Sequence, residues 1–120
     1  MTQGKILQGY QALMALTNKE WPVRTAYGLF KLRKAMQPII EFRIEEERKL
    51  IAEYSSGVEN GKTVFDDPEK EREYTAKIVE LNETEVTDLN FEPVKLPVDC
   101  DVKLTPDLFG ALEGFVFMDL

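Results

Sequence analysis

The chain has no histidine, one cysteine and no long apolar run, and each absence closes off a class of chemistry. Without histidine, Ser-His-Asp and Cys-His sites and most zinc sites cannot be built. The lone Cys100 cannot form an internal disulfide and suits a reducing compartment. No stretch approaches the roughly 20 apolar residues of a membrane span. The opening MTQGKILQGYQALMALTNKEW is broken by polar residues too often for a signal peptide. Neither G-x-x-x-x-G-K-[ST] nor G-x-G-x-x-G occurs, so the common phosphate-cradling loops are missing. The expectation is a cytoplasmic, non-enzymatic protein with no cofactor and no membrane partner.

What is there is a soluble, foldable composition with a lopsided charge. The 120 residues are 43% apolar and 31% charged, as in one folded domain covering 1–120. Residues 1–36 carry Lys5, Lys19, Arg24, Lys31, Arg33 and Lys34 against Glu20 alone, a net charge of +5. Residues 37–120 carry 9 basic and 21 acidic side chains, a net of −12. Such a chain presents two different electrostatic faces to partners. The acidic total of −7 argues against direct nucleic-acid binding and leaves room for a local basic site.

The spacing of Ile6, Leu7, Tyr10, Leu13 and Met14 predicts a first helix after Thr2, ending near Thr17–Asn18. Pro22 suits the first turn of a second helix, which can run to Tyr54, about 50 Å at 1.5 Å per residue. Its first half carries Val23, Ala26, Tyr27, Leu29, Phe30, Leu32, Met36, Ile39 and Ile40 around much of its circumference, as in a segment packed on several sides. Its second half keeps a narrower stripe of Ile40, Ile44, Ile51 and Tyr54 that Glu47 interrupts, with Glu45 and Lys49 in the favourable i,i+4 order. Pro38 predicts a kink or break between the halves.

Asn60–Gly61 predicts a type I′ hairpin at the end of this arm, and Asp67–Pro68 the start of a third helix that returns antiparallel with Tyr74, Ile78 and Leu81 as its seam. From Asn82 the period changes to two. Val94, Leu96, Val98, Cys100, Val102 and Leu104 alternate with polar residues as in a strand that Pro97 makes an edge or interrupts. Thr87, Leu89 and Phe91 offer a weaker strand before it. Thr105–Pro106 starts a last short helix with Leu108, Phe109, Leu112, Phe115 and Val116 inward, and the tail from Phe117 should dock. The fold class expected is α+β. A helical part over about 1–83 holds a kinked central helix in a helical hairpin, and a small antiparallel sheet with a short C-terminal helix occupies about 84–120.

Cys100 shares its strand face with Val98 and Val102 and has no basic activator nearby, so it reads as a structural thiol. Glu45, Glu46 and Glu47 point in different directions on a helix and cannot share an ion. Asp99 and Asp101 share a strand face, but the remaining ligands of a calcium loop are absent. The basic cluster carries more. Arg24, Tyr27, Lys31 and Lys34 lie at spacings of 3, 4 and 3, one helical stripe, with Trp21 at its entrance. Three cations beside aromatic rings can hold a phosphate-bearing ligand and stack its base, or bind an acidic surface. The plainer reading makes Tyr27 core and the cations its solvated border.

The stretch K-I-L-Q-G-Y-Q-A-L-M-A-L-T-N-K-E-W-P-V-R-T-A-Y-G-L-F-K-L-R-K resembles the opening of a family of small tailed-phage and prophage proteins of unassigned function. The same family is similar to this chain in E-E-E-R-K-L-I, in F-E-P-V and in L-T-P-D-L-F-G-A-L-E. Trp21, Pro22, Val23, Arg24 and Tyr27 stand at its apolar-Pro-Val-basic-x-x-Tyr segment, with Trp21 in place of a more usual aliphatic residue. The resemblance implies phage origin and action in the host cytoplasm. It implies little about mechanism. The absence of catalytic chemistry and the basic stripe make the expected function stoichiometric binding to a host protein or a small anionic ligand. An anti-defence role by sequestering a nucleotide signal is the use that phage origin suggests. The alternatives are a head or tail accessory protein that forms homo-oligomers, and an inhibitor whose acidic arm, 41–83, mimics DNA.

Overall fold

A computed structural model describes residues 1–97 and 105–118 of the chain. Three polar side chains start helices where their caps are needed. The Thr2 hydroxyl accepts from the Lys5 amide at 3.2 Å and opens α1, Gln3–Thr17. Asp67 accepts from the Glu69 amide at 2.9 Å and opens α3, Pro68–Glu83. Thr105 accepts from the Leu108 amide at 3.2 Å and opens α4, Pro106–Leu112. In the two later helices proline takes the first turn, where its missing N–H is no loss. The long helix α2, Val23–Tyr54, begins one residue after Pro22 and runs unbroken through Pro38.

Ser55 and Gly57 end α2 and lead into a two-stranded antiparallel hairpin, β1 (Gly57–Glu59) and β2 (Lys62–Val64). Asn60 and Gly61 both have positive φ, 53° and 76°, as a type I′ turn requires. The architecture is therefore α+β and mainly helical, with a small antiparallel sheet and a short C-terminal helix. Within 84–120, where the sequence predicts an antiparallel sheet, the described strands pair in parallel. β3 (Val94–Leu96) lies parallel to β4 (Val116–Met118), with Val94 opposite Val116. The strand expected over Thr87, Leu89 and Phe91 is not formed, although Leu89 and Phe91 still pack on the core. The expected strand face at Val98, Cys100, Val102 and Leu104, and the paired Asp99 and Asp101, lie outside the described residues.

The core sits where α1, α2, β3 and α4 meet, and Ile6, Leu13, Leu16, Leu29, Leu32, Met36, Leu96 and Phe115 fill it. Phe115 lies so close to α1 that a Cβ on Gly9 would stand 2.3 Å from its ring, a separation only glycine permits. Lys5 ties the same helix to α4, its Nζ donating to the carbonyls of Gly110 at 2.9 Å and Ala111 at 3.3 Å. Among the described residues, no helix is long and apolar enough to cross a membrane.

Along the arm α3 returns against α2, and Tyr74, Ile78 and Leu81 are half-buried as its seam. Arg43 explains the interruption at Glu47. It is only 4% exposed, donates from Nε to Glu47 at 2.7 Å and from Nη1 to Asn82 Oδ1 at 2.6 Å. The buried stripe thus passes through Arg43, while Ile44 is exposed. Glu45 and Lys49 do not pair with each other: Arg48 meets Glu45 and Lys49 meets Glu46, both at i,i+3. The first half of α2 is also less enclosed than its apolar content implies. It packs through Leu29, Leu32, Met36 and Ile40, while Val23, Tyr27 and Phe30 stay 85%, 59% and 43% exposed.

Candidate functional site

A groove of about 860 Å³ runs between the first half of α2 and the segment around β3. Gly28 makes the close approach possible, because Val94 sits against the helix where a larger residue would project. One wall is the helix, which presents Arg24, Tyr27 and Lys31. Arg24 and Lys31 are two turns apart, about 10 Å along the axis, so their long side chains can converge on one extended anion. Lys31 Nζ stands 4.9 Å from the centre of the Tyr27 ring, a cation–π contact at the groove's rim.

The other wall is residues 90–97. Burial alternates here: Leu89 and Phe91 pack on the core, while Asn90 and Glu92 are exposed and line the groove. Phe91 is held from behind by Phe115, ring centres 5.3 Å apart. Lys95 adds a third cation and makes an interaction of its own. Among the described residues, no carboxylate pairs with Arg24 or Lys31, and Glu92 makes no ion pair. The groove therefore offers positive charge, aromatic surface and one carboxylate in the same space. Such a mixture suits a ligand that is anionic at one end and a hydrogen-bond donor at the other.

Two residues of the expected stripe are elsewhere. Trp21 packs partly buried on the core and spends its indole N–H on the Leu16 carbonyl at 2.8 Å, so it braces the α1–α2 turn. Lys34 is exposed on the outer face of α2, 5.6 Å from the ring centre of Phe30, and Arg33 shares that ring at 5.9 Å. The stripe is real as a helical line, but the opposite wall covers only its first two turns. Asn90, Glu92 and Lys95 escaped the sequence reading. The alternation of apolar and polar residues from 89 to 92 was their signal, and the pairing partner that gives it meaning lies some sixty residues away.

No group of three or more metal-ligating side chains gathers among the described residues. Among the described residues the one resolved acidity shift lies on the arm: burial first, and the Glu47 carboxylate second, push the Tyr74 phenol up, against the opposite pull of Arg43. No protein-family model, curated protein or solved structure matches the chain.

Proposed function

We propose that this is a phage-encoded, non-enzymatic binding protein that acts stoichiometrically by holding a small phosphate-bearing ligand in the groove between α2 and residues 90–97. One observation carries the reading: Arg24, Tyr27 and Lys31 line a single groove, with no described carboxylate neutralising either cation. A volume of about 860 Å³ suits a ligand of nucleotide size. The residues on its walls hold and orient. Sequestration of a host nucleotide signal, and hence an anti-defence role in the host cytoplasm, is the use that fits phage origin.

Native mass spectrometry after incubation with a host small-molecule extract tests this. The wild-type protein should carry a bound mass of a few hundred daltons, the Arg24→Glu/Lys31→Glu variant none, and Lys34→Glu the same mass as wild type. Retention by the folded double variant contradicts the reading.

A second reading, a head or tail accessory protein that self-associates, draws on the exposed Val23, Tyr27 and Phe30 beside Arg33 and Lys34. It predicts a salt-sensitive oligomer in sedimentation. DNA mimicry by the arm has less support, since Arg48, Lys49 and Lys77 interleave with its glutamates as ion pairs.

A further inference from the structure

Glu92 is the odd member of the groove. A site built only for an anion gains nothing from a carboxylate on its wall, because like charge repels the ligand across a short distance. Glu92 is not there to neutralise a neighbour either, since it pairs with no cation among the described residues. Asn90, two residues before it, faces the same space. The pair combines an acceptor of charge-assisted hydrogen bonds with a carboxamide that can both donate and accept. Arg24 and Lys31 stand on the opposite wall, on α2, while Lys95 shares the wall of Asn90 and Glu92.

We infer that the groove discriminates by base as well as by phosphate, and that it takes a guanine nucleotide, with phosphates on Arg24 and Lys31 and the base edge on Glu92 and Asn90. The inference rests on the phosphate-binding reading above and names the ligand class for that same groove. Guanine presents N1–H and the N2 amine side by side, so one carboxylate can accept from both, and its O6 beside them takes a hydrogen bond from the Asn90 amide. Adenine turns the lone pair of N1 toward the same carboxylate, which repels it. Hypoxanthine keeps N1–H and O6 and lacks only the amine. The three bases therefore separate the contributions. Tyr27 lies on the α2 wall between Arg24 and Lys31 and supplies ring surface for the sugar or base.

The test is calorimetric titration of the folded protein with guanosine, inosine and adenosine diphosphates at one fixed ionic strength. Guanosine diphosphate should bind tightest. The inosine form should be weaker by about 10-fold, the effect of one lost hydrogen bond to a charged group, and the adenosine form by about 100-fold. Glu92→Gln, an exposed and conservative change, should remove most of the guanosine preference over adenosine. Arg24→Glu/Lys31→Glu should abolish binding of all three, with circular dichroism confirming that it folds. Equal affinities in the wild type, or a preference that survives Glu92→Gln, overturn the guanine assignment while the phosphate groove stands. Failure of all three to bind the folded wild type overturns both.

Discussion

Gly28 and Val94 are in contact across the α2–β3 boundary: a Cβ at position 28 would stand 3.2 Å from Val94 Cγ1 and 3.4 Å from Cγ2. That contact sets the depth of the groove, because Arg24 and Lys31 flank Gly28 on the helix and Val94 continues the opposite wall. Gly28→Leu should cost about 1–3 kcal/mol by overpacking and weaken ligand binding by displacing β3. Gly28→Ala should leave stability close to wild type, since a helix-propensity gain of about 1 kcal/mol offsets the crowding. Urea denaturation midpoints decide both.

Trp21 provides a separate check on which aromatic residue belongs to the site. Its N–H is already donated to the Leu16 carbonyl. Trp21→Phe should cost about 1 kcal/mol for that bond and leave ligand affinity unchanged. Tyr27→Ala should do the reverse, because its ring is largely exposed and lines the groove.

How much was legible follows from how local each signal is. Thr2, Asp67 and Thr105 cap helices with amides two or three residues away, and Asn60–Gly61 makes its own turn, so all four could be read from neighbours in sequence. The stripe Arg24, Tyr27, Lys31 was legible for the same reason, being a property of one helix. The parallel pairing of β3 with β4 was not. Each strand has three residues, too few for a period, and the pairing depends on Gly9 admitting Phe115 and Gly28 admitting Val94. Asn90 and Glu92 were hidden behind that same long-range packing. Glu47 looked like a defect in an apolar stripe because its partner, Arg43, is a charged residue in a buried position.

The arm tests the energetics of that buried arginine. Asn82→Ala leaves Arg43 Nη1 without its acceptor at a site that is 4% exposed, and should cost about 2–3 kcal/mol. Arg43→Met removes the charge together with its need for partners and keeps an apolar stem, so it should cost less than Asn82→Ala. The reverse order in urea titrations would show that the guanidinium is a net stabiliser.

Tyr74 makes stability sensitive to alkali. Its phenol is raised above the ordinary 10.0, chiefly by burial and then by Glu47. A group that holds its proton more tightly when folded contributes stability that is complete below its unfolded value and is lost as pH rises through the folded one. The melting temperature should therefore fall above about pH 10, and Tyr74→Phe should fall less over the same interval.

The central claim is that the groove between α2 and residues 90–97 is where an anion binds. A ¹⁵N-resolved NMR titration with millimolar pyrophosphate addresses it at the level of single amides. The account predicts shifts confined to residues 24–31 and 90–97, absent in Arg24→Glu/Lys31→Glu. Shifts centred on Arg33 and Lys34, shifts on the arm, or none at all would contradict it.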